Sequence, residues 1–92
     1  MYCIVVYDIN KKRVNKVLKH FRQYLFRIQN SVFEGEIRES TYKEMCKGLK
    51  PLINKKEDSV IIFTISSEKY VKKKTIGKPT VNLDNKYIIS NE

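Results

Sequence analysis

Asp8 is the only acidic residue among the first 33, and it closes an apolar run, "YCIVVY", that reads as a strand. A carboxylate in that position can balance nearby cations or favour the start of a following helix through the helix dipole. It can also hold a hard divalent cation, Mg2+ or Mn2+, which takes carboxylate oxygen, keeps waters and accepts phosphate as a further ligand. One carboxylate is an incomplete site. A twofold dimer would bring Asp8 of each protomer to the axis and so supply two.

The stretch "RIQNSVFEGEI", residues 27 to 37, sets an Arg, a Gln, an Asn and a Ser against strand-forming residues. The Arg27 fork suits phosphate oxygens, at rest and as charge develops during phosphoryl transfer; its other use is an ion pair with Asp8 or Glu34. Gln29, Asn30 and Ser31 either satisfy backbone groups at a strand break or position phosphate or water. Together these residues allow metal-dependent phosphodiester hydrolysis, with Asp8, Arg27 and Ser31 as the catalytic candidates and Asp8 as the metal ligand. Phe33 reads as core. His20, alone on a helix, reads as exposed or half-buried and takes no part. The chain has no Ser-His-Asp set, no glycine-rich phosphate loop and no His/Cys metal spacing.

These groups sit in a 92-residue chain of one domain, whose core is modest at this size. Nineteen Lys and Arg against ten Asp and Glu give a net charge of +9, a field that draws polyanions, nucleic acid first. The positive charge is segregated: Lys11, Lys12, Arg13, Lys16, Lys19, Arg22 and Arg27 lie between Asp8 and Glu34 with no acid among them. Lys11, Lys12, Arg13, Lys16, Lys19 and Arg27 are therefore the candidate nucleic-acid contacts. Cys3 and Cys46 stand far apart in apolar contexts, as buried free thiols do, which fits a reducing cytoplasm. No apolar run approaches the ~18 residues of a membrane span, and no charged leader precedes the first strand.

The elements that position these residues follow from periodicity. Residues 2 to 7 are apolar on both faces, as in a central strand. Asn10 caps a helix of about 14 residues on which Val14, Val17, Leu18, Phe21 and Leu25 form one apolar stripe, with the lysines largely off it. Residues 26 to 37 are extended, as one bent strand or, as is expected, two short strands broken at "QNS". Thr41 and Glu44 form a capping box that opens a second helix, strained by Gly48 and Pro51. "DSVIIFTI", residues 58 to 65, is doubly apolar and reads as a second central strand.

That order is an α+β, ferredoxin-like βαββαβ sheet with both helices on one face. Residues 1 to 66 make the core. Residues 67 to 92, mostly polar with a short apolar "YIIS", make a C-terminal arm whose strand is expected to add to a sheet edge across a homodimer.

"YDI" closing the first strand, the basic helix, "RIQNSVFEGEI" and "DSVIIFTI" together resemble the small CRISPR-associated Cas2 family over essentially the whole chain. The resemblance implies a ferredoxin-like homodimer that bridges two dimers of the CRISPR integrase during spacer acquisition and holds duplex DNA on a basic surface. It also implies metal-dependent endonuclease activity, on RNA or duplex DNA, in some members. By position, Asp8 matches the metal-binding aspartate, Arg27 the arginine of the R-[IV]-Q motif, and Ser31 and Phe33 the Ser and Phe of S-V-F. Arg13 matches basic residues that follow the aspartate. Many members carry Tyr-Gly before the motif where this chain reads "YLFRIQ", so the turn into the second strand differs. The virulence-associated D endoribonucleases of toxin–antitoxin systems resemble the same fold and are the alternative reading.

Overall fold

The computed structural model describes residues 1–77. Strand β1, Tyr2–Asp8, is followed by helix α1, Lys11–Arg22, and by two short strands, β2, Phe26–Gln29, and β3, Val32–Glu36. Helix α2, Glu39–Leu49, runs into a 3-10 turn at Lys50–Leu52, and strand β4, Ser59–Ile65, closes the motif. The strands pair antiparallel in the order β2-β3-β1-β4. This is the ferredoxin-like α+β arrangement, with the break at Asn30 and Ser31 dividing two strands.

One sheet face carries the core. Cys3, Val5 and Tyr7 of β1 and Phe33 of β3 pack against Val17 and Phe21 of α1, Leu25, and Met45 and Leu49 of α2. Phe33 is fully buried and its ring sits 5.4 Å from Phe21. The helix begins where the sequence says it should, because the Asn10 side chain accepts from the Lys12 N–H. Both cysteines are free; Cys3 is fully buried and Cys46 half-buried. Burial first, and the neighbouring Cys46 second, push the Cys3 thiol up to about 11.

Three expectations change. Helix α2 starts at Glu39, two residues before Thr41, and Arg38 precedes it in extended conformation with no side-chain cap. The Ile37 N–H is already spent on the Met1 carbonyl, so the chain leaves β3 straight into the helix and Thr41 and Glu44 fall inside it. Strand β4 lies at the edge of the sheet, where Val60 and Ile62 face the core while Ile61 and Phe63 are 52% and 54% exposed. His20 is buried rather than exposed: its Nε2–H donates to the Met45 carbonyl at 2.7 Å, and its ring fills the space above Gly48.

That packing explains a glycine inside a helix. A Cβ at position 48 would stand 2.6 Å from His20 Cε1, and the ring is pinned by its hydrogen bond. Gly48→Ala is therefore expected to destabilise the fold by about 1–3 kcal/mol from overpacking. The gain of about 1 kcal/mol in helix propensity works against that cost. Chemical denaturation reads the sum, and a stabilised variant would show that the His20 ring swings aside.

After β4 the chain makes a 3-10 turn at Glu68–Tyr70 and turns back over the sheet face away from the helices. There the Lys73 ammonium pairs with Glu34, a buried carboxylate that also accepts from the Tyr2 hydroxyl at 2.5 Å. The apolar end of the expected arm, residues 87–90, and its edge strand lie outside the described residues.

Candidate metal centre and nucleic-acid interface

Strand alternation places Asp8. Cys3, Val5 and Tyr7 point into the core, so Asp8 shares the opposite, open face with Ile4 and Val6. Its register partner is Ser59, at the start of β4. The carboxylate is exposed and has no hydrogen-bond or ion-pair partner among the described residues. It therefore does not balance the basic helix.

A different acid does, one that sequence reasoning passed over. The Asp58 side chain is fully buried and accepts four hydrogen bonds. Oδ1 takes the Asn10 N–H at 2.9 Å and Arg13 Nη2 at 3.0 Å. Oδ2 takes the Asn54 N–H at 2.8 Å and Arg13 Nε at 2.6 Å. The second prong of Arg13 also reaches Glu57 at 2.9 Å. The Arg13 fork, together with the two backbone donors, holds the Asp58 carboxyl well below the usual carboxylate range despite its desolvation, and pushes Arg13 up in turn. The sequence signal was available: Asn54 and Asp58, four apart in a polar turn before a β-branched strand, suit side-chain to backbone bonding.

Arg13 is thus occupied, whereas Lys11, Lys12, Lys16 and Lys19 are exposed and make no ion pair among the described residues. At 100° per residue these four and Arg22 fall within one sector of α1, away from Val14, Val17 and Phe21. The helix offers a continuous cationic strip about 18 Å long at 1.5 Å per residue.

Arg27 and Asp8 do not share a site within one protomer. Arg27 pairs with Phe33 across the β2–β3 ladder, and Phe33 pairs with Val5, so directly opposed residues put Arg27 on the helix side of the sheet. Asp8 lies on the other side. Arg27 Nη2 donates to the Asn30 carbonyl at 3.0 Å, the same oxygen that receives the Tyr7 hydroxyl. The Ser31 carbonyl accepts the Tyr7 N–H at 3.1 Å, leaving the Ser31 side chain exposed at the hairpin tip. The polar mouth of the hairpin thus satisfies backbone groups, and Arg27 pairs with neither Asp8 nor Glu34. Within one protomer the ladder thus does not bring Asp8 and Arg27 onto one sheet face.

Among the described residues no group of three His, Cys, Asp or Glu side chains converges as a metal site. Asp8 nevertheless fits half of a shared oxygen-donor site, since it is exposed and unengaged. Beside it the open face is apolar: Val6 and Ile61 are register partners 37% and 52% exposed, and Phe63 pairs with Ile4. No helix among the described residues is long and apolar enough to cross a membrane.

The fold and these two features, a carboxylate at a strand end with no partner among the described residues and a lysine strip on the adjoining helix, define a small ferredoxin-like protein with one strongly cationic helix face. The family model for CRISPR associated protein Cas2 matches residues 1–73, and the chain belongs to that family. It is 46% identical over 77 residues to the CRISPR-associated endoribonuclease Cas2 of Dictyoglomus turgidum, covering 84% of this chain and 88% of that one. The protein of the same name from Thermotoga maritima shows the same identity and coverage. A crystal structure of Cas2 superposes with a TM-score of 0.77 at 40% identity, covering 86% of this chain and 88% of the other. The match decides the family against the virulence-associated D alternative.

Proposed function

We propose that the chain acts in CRISPR spacer acquisition as a homodimer that binds duplex DNA along α1 and bridges copies of the integrase. The observation that carries this reading is the division of the surface: four lysines on one helix with no ion pair among the described residues, and on the opposite sheet face the exposed apolar side chains of Val6, Ile61 and Phe63, which suit a second copy. Lys11, Lys12, Lys16, Lys19 and Arg22 contact phosphates, so binding is indifferent to sequence and weakens as salt releases the driving force of counterion displacement.

A second reading is favoured by the unpartnered state of Asp8 and by the endoribonuclease name of the relatives. In a dimer formed through the open face, Asp8 of each protomer would hold a divalent cation, Mg2+ or Mn2+. Such an ion, when bound, lowers the pKa of its water and neutralises developing phosphate charge. The protein's own part is to hold the two carboxylates at rigid strand ends and to present the phosphodiester from the lysine strip. Arg27 stiffens the hairpin and is not assigned to the reacting phosphate.

The phosphate-contact reading is tested by salt. Binding of a short duplex to the Lys12, Lys16, Lys19→Ala triple variant should show a log K against log salt slope shallower by about 0.9 for each lysine engaged. Affinity falls most at low salt. A slope equal to that of the unmutated chain would remove α1 from the interface.

A further inference from the structure

We propose that Arg13 and Asp58 are a positioning pair for the Asp8 loop and for the basic face of α1, and that neither contacts nucleic acid or metal. That Asp8 is the working carboxylate rests on the reading above; the positioning itself rests only on geometry.

Only Ile9 and Asn10 separate Asp8 from the first residue of α1. The angle at which the lysine strip leaves the sheet, and the direction of the Asp8 side chain, are set in those two residues. Asn10 is held three times: its side-chain oxygen caps α1 through the Lys12 N–H, its Nδ2 donates to Glu57 at 3.3 Å, and its own N–H is bound by Asp58 Oδ1. Asp58 is anchored in turn at the foot of β4, one residue before Ser59, the register partner of Asp8, and its other oxygen closes the turn at Asn54. Arg13 then clamps both oxygens from the first turn of α1. One carboxylate so joins the end of β1, the start of α1 and the start of β4.

The same count shows why Asp58 is not a second metal ligand although it stands close to Asp8 in the sheet. A carboxylate offers about four lone-pair sites, and its four hydrogen bonds use them. A planar guanidinium bound through Nε and Nη2 to one carboxylate is a rigid two-point contact, unlike the single donors of lysine. Arg13 cannot turn its two-point Nε–Nη2 fork to phosphate without releasing a fully buried acid; only Nη1 is left over. Its neighbours on the helix can.

The experiment compares Arg13→Ala, Arg13→Lys and Lys19→Ala in the full-length protein, with three readouts. In the two Arg13 variants the Asn10 and Asn54 amides should exchange about tenfold faster or more, while the duplex salt slope stays at the unmutated value. Lys19→Ala should do the reverse. Arg13→Lys keeps the charge but not the fork, so a phosphate contact would be largely preserved by it and the positioning clamp would not. If an Arg13 variant does not fold, the Arg13 Nε–H resonance of the unmutated protein decides: it should stay slowly exchanging and unmoved when duplex is added. The proposal is overturned if Arg13→Ala flattens the slope by about 0.9, as lysine loss does, with the Asn10 amide still protected, or if the Nε–H resonance moves on binding duplex. In Mg2+-supported cleavage, the Arg13 variants should lose kcat with KM unchanged. Absence of any cleavage by the unmutated protein would count against the Asp8 reading alone, because exchange and salt slope do not depend on it.

Discussion

Phe63→Glu should separate the proposed homodimer into protomers. Phe63 is more than half exposed on an edge strand, across the ladder from Ile4, and it continues the bare surface of Val6 and Ile61. An apolar strand face left open in one copy is explained when a second copy covers it, and a twofold interface places the new glutamates on both sides of one seam. Like charges set together in an apolar interface cost several kcal/mol, on the order of 10³-fold in dissociation constant. Because the side chain is exposed in the protomer, folding stability should change by no more than about 0.5 kcal/mol. Light scattering across a concentration series checks both halves of the statement, with circular dichroism reporting the fold. A variant that stays at twice the chain mass would place the interface elsewhere.

Asp8→Asn carries the second large effect. The substitution keeps the shape of the side chain and breaks no hydrogen bond or ion pair among the described residues, so folding and dimer mass should be unchanged. Mg2+-supported cleavage of RNA or duplex should fall by about 10²–10³-fold, corresponding to several kcal/mol of lost charge stabilisation. Duplex binding should hold or tighten slightly, since a negative charge is removed beside a cationic strip. Parallel assays of cleavage and of spacer integration with the integrase separate the roles. Integration that survives loss of cleavage assigns the protein to scaffolding. Cleavage unchanged by Asp8→Asn would move the chemistry away from this carboxylate.

Local signals specified much of this arrangement. The doubly apolar run of β1 made it central, and Asn10 with the spacing from Val14 to Phe21 set the start and buried face of α1. The polar "QNS" marked the division of β2 from β3. Other features depend on distant partners. Strand β4 looked central because both its faces are apolar, yet it sits at the edge; on its second face Ile61 and Phe63 are more than half exposed among the described residues. Thr41 and Glu44 carried a capping pattern, but the tie from Ile37 to Met1 fixed the exit of β3 and the helix began earlier. The tie of Asp58 to Asn54 is local, but its partners Asn10 and Arg13 lie more than 40 positions away, so its role as a clamp on α1 was hidden.

The functional residues divide in the same manner. Asp8 stood out by composition, and its isolation among cations survives in three dimensions as an exposed carboxylate with no partner among the described residues. Arg27 stood out by motif, but the face a strand residue occupies depends on ladder pairing, and pairing with Phe33 turns Arg27 towards the helices. Arg13 was indistinguishable in sequence from its lysine neighbours, and only the position of Asp58 and Glu57 sets it apart.

Pulsed electron spin distance measurement between nitroxides on Asp8→Cys, in a Cys46→Ser background that leaves the fully buried Cys3 unlabelled, tests the central claim most directly. The account predicts one narrow, short inter-label distance that disappears when labelled chain is diluted with unlabelled chain. A dimer whose labels give only long or broad distances, or a chain with no inter-label coupling, would contradict it.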